Sequence, residues 1–94
     1  MFSATHYLLR TKTDGSYLAA QPHPDRAARY LLLFREYAEA LSYLNAHGPE
    51  RAGEFGVESV SGSQLRGVLE RWGFAGVGLV EDPWLPRVEF LART

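Results

Sequence analysis

The chain has 94 residues and 10.5 kDa, with 10 basic against 11 acidic side chains and a formal net charge of −1. That length fits one domain, and the near-neutral balance supplies no long-range attraction for nucleic acid or an anionic membrane surface. There is no cysteine, which excludes disulfides, thiolate nucleophiles, iron–sulfur clusters and every zinc site that needs Cys ligands.

A domain this small hides only about 60–65% of the surface its unfolded chain exposes, so without staples it relies on its core. The absence of cysteine suits a reducing cytoplasm. Met1 to Arg10 has no basic head followed by a long apolar run, which predicts no secretory signal. The longest apolar runs, such as Tyr30 to Phe34, are five residues, against the roughly 20 that a membrane-spanning helix requires.

His6 to Thr11 is rich in strand formers and stops at Lys12-Thr13-Asp14-Gly15. Asp-Gly supplies positive-φ positions at little steric cost, so the pattern predicts a hairpin with Ser16 to Ala20 as the returning strand. Gln21 to Asp25 holds two prolines, which lack the N–H a ladder needs, and reads as a loop. Arg29 to Phe34 is a continuous apolar run suited to a strand buried on both faces; helix competes for it, and its shortness and the turn chemistry before it favour strand.

From Arg35 or Glu36 to His47 the pattern changes. Tyr37, Ala38, Leu41 and Leu44, joined by Ala40, recur at helical steps. Gly48-Pro49 ends this helix, with the glycine free to take the left-handed position. Glu50 to Glu54 reads as loop and Phe55 to Val60 as a short alternating strand. Ser61-Gly62-Ser63-Gln64 has capping-box spacing. Leu65, Val68, Leu69 and Trp72 then mark one face of a second helix that Gly73 terminates.

Gly76 to Glu81 is a further strand, whose two glycines let a helix or another backbone come close. Asp82 to Pro86 is a turn, and Arg87 to Leu91 closes the chain as an alternating strand. The expected order is β-β-β-α-β-α-β-β in a single α+β domain over residues 1–94, with one mixed or antiparallel sheet of about six strands and two helices.

The side chains that could carry chemistry are dispersed. His6, His23 and His47 show neither an H-x-x-x-H nor an H-E-x-x-H spacing, which would set two ligands on one helical face. His47 suits a helix C-terminus, where a cation meets the negative end of the dipole. Ser61-Gly62-Ser63 departs from the G-x-S-x-G nucleophile elbow and fits capping, though a helix start beside a glycine can take an anion. Gly73, Gly76 and Gly78 follow a helix and enter a strand, the reverse of a dinucleotide fingerprint. Glu81 and Asp82, as neighbours on a strand, point to opposite faces, and Asp82 before Pro83 suits turn initiation. Arg66 and Glu70, four apart, are expected to form a solvated pair. No metal site and no cofactor is expected.

The aromatic residues form the more informative group. Trp84 lies between Pro83 and Pro86, where it either folds back over the sheet end as a lid or anchors an interface. Tyr37 and Tyr43 fall on separate faces of the first helix. Exposed Trp and Tyr beside Arg, here Arg87, is the composition of an interface centre.

From Gly15 to Leu91, about four fifths of the chain, the order of features resembles the N-terminal domain of SseB-type proteins, the enhanced-serine-sensitivity family. The stretches that carry the likeness are Tyr30-Leu31-Leu32-Leu33-Phe34 with Glu36-Tyr37-Ala38, Val57-Glu58-Ser59-Val60-Ser61-Gly62 with Leu65, and Gly76-Val77-Gly78-Leu79-Val80-Glu81-Asp82-Pro83. Where the family tends to read Asn-Pro-Gly, this chain has Asp82-Pro83-Trp84. The resemblance implies a small α+β domain with a regulatory or interactive role and brings no catalytic residues.

The expectation is a cytoplasmic, non-catalytic domain that acts by protein–protein interaction, including self-association as a dimer, with no nucleic-acid or membrane partner. Its candidate contact residues are Trp84, Arg87, Asp82 and Tyr37, with Ser61 and Gly62 at the helix start. Two other classes stay open: a small enzyme using a histidine and a carboxylate, and a sensor of an anionic metabolite at the Ser61 helix start.

Overall fold

A computed structural model describes residues 4–85 and 87–93. Among them, six strands form one mixed sheet and two α-helices pack on it: β1 (His6–Thr11), β2 (Ala19–Ala20), β3 (Tyr30–Phe34), α1 (Tyr37–His47), β4 (Phe55–Val60), α2 (Gly62–Trp72), β5 (Gly76–Asp82) and β6 (Arg87–Ala92). The sheet order is β4-β1-β3-β5-β6, with β2 paired to β3. The expected α+β class and element order are therefore those of the structure. Pro86, the last residue of the turn expected from the sequence, lies outside the described residues, as do Met1 to Ser3 and Thr94.

Strand direction explains why the helices occupy opposite faces. β3 and β4 both run antiparallel to β1, and β5 runs parallel to β3. The chain thus crosses from β3 over β1 to β4, then returns past β3 to β5. Crossovers between like-directed strands are almost always right-handed, and two of them running in opposite senses along a sheet need their helices on opposite sides. Leu31 and Leu33 of β3 accordingly meet Leu65, Val68 and Leu69 of α2, while Leu32 and Phe34 meet Ala40 and Leu44 of α1. The apolar run of β3 is buried on both faces, as its composition predicts.

Local signals set most boundaries. Gly15 takes φ 74 in the turn after β1, and Arg10 bridges to Tyr17 across it. The returning segment then leaves β1: the Leu18 N–H reaches Leu9 O at 2.9 Å, and Leu32 N reaches Leu18 O at 3.2 Å. Only Ala19–Ala20 is regular strand, and its partner is β3. The expected hairpin exists, but its second arm is a wedge between β1 and β3. Those two strands face one another directly at Tyr7 and Phe34.

At the start of α2 the Ser61 hydroxyl accepts the Gln64 N–H at 3.3 Å, and Gln64 Oε1 accepts the Ser61 N–H at 2.9 Å. Gly73 ends the helix in the left-handed conformation at φ 68, ψ 31. Both features match the sequence reading. Gly48 does end α1, but at φ −159, ψ 55, outside the left-handed region. A 3-10 segment, Pro49–Glu54, follows where a loop was expected.

The buried stripe of α1 is narrower than expected. Ala40 and Leu44 are buried, whereas Tyr37 and Leu41 face outward at 53% and 40% exposure. On α2, Leu65, Val68 and Leu69 are buried as expected, while Trp72 lies partly exposed, edge-on to Tyr17 at 5.1 Å between centroids. Arg66 and Glu70 do not pair: the ion pairs among the described residues join Arg10 to Glu58 and Arg51 to Glu54.

Candidate functional site

The β5–β6 turn is built by its first residue. Asp82 Oδ1 accepts the N–H of Trp84 at 2.9 Å and of Leu85 at 3.2 Å, an Asx arrangement that closes the turn without help from the sheet. A second tie comes from the other side of the sequence. His47, in the last turn of α1, donates from Nε2 to the Pro83 carbonyl at 2.7 Å. Its ring lies tilted at 51° to Tyr43, 4.7 Å between centroids, and Tyr43 in turn tilts against buried Phe34 at 5.3 Å. Burial pushes the Tyr43 phenol up from its ordinary pKa. A continuous line of contacts therefore runs from the core, through α1, to the turn backbone.

What this framework presents is apolar. Trp84 is 64% exposed and Leu85 is 73% exposed. Trp84 does not fold back over the sheet end as a lid. Scattered exposed apolar side chains need no explanation, but adjacent large ones on a fixed turn do.

The turn leads into β6, an edge of the sheet. Arg93 N–H reaches Ala75 O at 2.7 Å, so by the two-residue alternation of an antiparallel ladder Leu91 and Glu89 also turn their main-chain groups toward β5. Val88, Phe90 and Ala92 then turn theirs outward. Phe90 is 40% exposed and lies against Tyr30 at 5.3 Å, and Arg87 and Glu89 are exposed on the alternate face.

Of the residues singled out from the sequence, Asp82, Trp84 and Arg87 come together at this hairpin. Tyr37 stands at the opposite end of α1 from His47, about 15 Å along the helix axis, edge-on to Tyr7 at 6.2 Å. Ser61 and Gly62 start α2 on the other face of the sheet, where the capping groups satisfy one another. Leu85, Phe90 and the tie from His47 were missed. Leu85 beside Trp84 was a readable signal; a contact spanning 36 residues was not.

His6 is buried at the start of β1, with Nδ1 at 3.2 Å from the Ala4 carbonyl, and His23 is exposed in its loop. Among the described residues no cluster of three His, Asp or Glu side chains has the arrangement of a metal site, and no helix is long and apolar enough to cross a membrane. No protein-family model, no curated protein and no solved structure matches the chain.

Proposed function

We propose that the chain is a small non-catalytic interaction domain of the cytoplasm that self-associates as a dimer through β6 and the Trp84–Leu85 turn. The observation that carries this reading is the exposed Trp84–Leu85 pair on a turn held by Asp82 and His47. A pre-ordered aromatic anchor loses little conformational entropy on contact, which is the property of an interface hot spot. The absence of cysteine and the SseB-type resemblance support the location and the class of role.

The β6 edge suits a second copy. A two-fold axis normal to the sheet at Val88 would set two antiparallel β6 strands side by side, with the two Val88 residues exchanging both of their main-chain hydrogen bonds. In that register Arg87 stands opposite Glu89 of the second copy, twice, and cross-strand pairs of opposite charge are worth about 0.2–1 kcal/mol each. The turn of each copy then lies beside the Leu91–Ala92 end of the other.

Sedimentation velocity of the full chain tests the reading. A dimer is expected at high micromolar concentration, with Trp84→Ala shifting it toward monomer at unchanged melting temperature. Arg87→Glu or Glu89→Arg alone is expected to weaken the dimer, and the charge-swapped double variant to restore it. A protein that stays monomeric throughout rules the proposal out.

A further inference from the structure

The opposite edge of the sheet, β4, carries a different surface. The Lys12 N–H reaches Glu54 O at 2.8 Å, so Glu54, Gly56, Glu58 and Val60 turn their main-chain groups toward β1, and Phe55, Val57 and Ser59 turn theirs outward. The Phe55 N–H is taken by Ala52 O. No strand among the described residues pairs with the outward groups of Val57 and Ser59. They sit about 7 Å apart, the two-residue repeat of an extended chain.

Beside this edge, a groove of about 370 Å³ opens between β4 and α2. Leu8, Val60 and Val68 line it as apolar side chains from the buried core. Gln64, Gly67 and Arg71 form the α2 wall at helical steps of three and four residues. Gly67 keeps that wall low: within 4 Å, a Cβ there would meet only Arg71 Nη1, at 4.0 Å. On the strand side, Glu58 is already paired with Arg10 at 3.6 Å. Arg71 is exposed and pairs with no carboxylate among the described residues, so the groove presents a positive charge that its own walls leave unmatched.

We propose that this groove binds an extended peptide segment of a partner protein, added as a further strand to β4. Its main chain hydrogen-bonds Val57 and Ser59, an apolar side chain covers Leu8, Val60 and Val68, and an acidic side chain or terminal carboxylate meets Arg71. Three features select this occupant. Donors and acceptors at strand spacing match a peptide backbone, the mode in which sheet edges capture extended segments. The apolar lining takes side chains from one face of such a strand, and the cation selects an acidic one. A small anion would use Arg71 and leave the rest of the groove unfilled. This surface is separate from the β6 edge and does not rest on the dimer proposed there.

The test is selection of displayed random-sequence peptides on the full chain, followed by titration of the synthetic selected peptide. Three variants probe the three features. Ser59→Pro removes one outward N–H while leaving the β1 ladder intact. Gly67→Leu fills the groove with a better helix former and is expected to melt no lower than the parent. Arg71→Gln removes the charge. The expected result is a family of peptides carrying an acidic residue, with affinity lowered tenfold or more by each variant and amide shifts at Val57 and Ser59 on binding. Failure to enrich any peptide overturns the proposal, as does binding indifferent to Gly67→Leu or Ser59→Pro. Sedimentation of the same variants separates the two surfaces: if either variant dissolves a dimer of the parent chain, the groove's occupant is a second copy and the peptide assignment is wrong.

Discussion

His47 and Pro83, 36 residues apart, are joined by a 2.7 Å hydrogen bond from the imidazole Nε2 to the proline carbonyl. The helix-dipole role expected for a basic residue in the last turn of α1 is thus accompanied by a tertiary one. A proline carbonyl is well suited to it, because proline contributes an acceptor and no donor to the backbone. The imidazole uses that acceptor, and Asp82 takes the N–H groups of the two following residues.

Removal of the imidazole by His47→Ala should therefore loosen the turn more than it destabilises the protein. An exposed hydrogen bond of this kind contributes about 0.5–1.5 kcal/mol, and a domain of this size shifts by about 4–8 °C in Tm per kcal/mol. The expected outcome is a modest loss in Tm together with a clear fall in backbone order at Pro83 to Leu85 by NMR relaxation. His47→Gln, which keeps a donor of similar reach, should recover part of that order. Unchanged relaxation at Trp84 in the alanine variant would show that Asp82 holds the turn alone.

The elements governed by neighbouring residues were legible in the sequence. The Ser61–Gln64 box, the positive φ of Gly15 and Gly73, and the two-sided burial of Tyr30 to Phe34 all follow from chemistry within a few residues. The face that α1 buries was legible only in part, since Ala40 and Leu44 belong to the expected stripe while Tyr37 and Leu41 turn outward, and the reason is compositional. Tyr37, Ala38, Ala40, Leu41, Tyr43, Leu44 and Ala46 spread apolar groups around much of the helix, so periodicity gives no sharp direction. The sheet's position then decides that Ala40 and Leu44 face inward. The second arm of the hairpin strayed for a related reason: the turn sets only the first bridge, and competition between β1 and β3 sets the rest. The candidate surfaces were half legible. Trp84 between prolines pointed to the turn, whereas the groove gathers β1, β4 and α2 and leaves no local pattern.

Acid should weaken the first turn through Asp14. Its carboxylate accepts from the Thr11 hydroxyl, the Ser16 N–H at 3.0 Å and the Ser16 hydroxyl at 2.8 Å. These bonds, Thr11 first, lower its pKa from 3.8 to about 2. A folded-state pKa below the unfolded one means that the unfolded chain binds the proton more readily. The stabilisation is therefore complete above about pH 4 and is lost as pH falls through the interval down to about 2. An NMR titration of the Asp14 side chain should give a midpoint near 2, and Asp14→Ala should abolish the corresponding part of the acid-induced loss of stability. A midpoint at the ordinary value would mean that the three bonds do not persist in solution.

Gly76 and Gly78 share a strand but should respond differently to a methyl group. At Gly76 a Cβ would lie 2.1 Å from Leu91 O and 2.8 Å from the Ala92 Cα. Those are backbone atoms of β6 and cannot rotate aside. At Gly78 the nearest atoms are Leu32 Cδ2 and Val88 Cγ1, both at 3.0 Å, and these side chains can yield by a few tenths of an ångström. Gly76→Ala is therefore expected to push β6 away from β5 and to destabilise by about 1–3 kcal/mol or more, in the range of core overpacking. The gain of about 0.4–1 kcal/mol from a stiffer unfolded chain does not offset this. Gly78→Ala should cost less, since repacking absorbs much of the strain. Thermal melts of the two variants give the comparison directly. The displacement should also reach the edge, because the Arg93–Ala75 hydrogen bond that sets the outward phase of Val88, Phe90 and Ala92 adjoins Gly76. Gly76→Ala should accordingly weaken any association through β6 while Gly78→Ala leaves it largely intact. Equal melting temperatures for the two variants would show that β6 shifts freely over β5, and the edge would then lack the fixed register that pairing with a second copy requires.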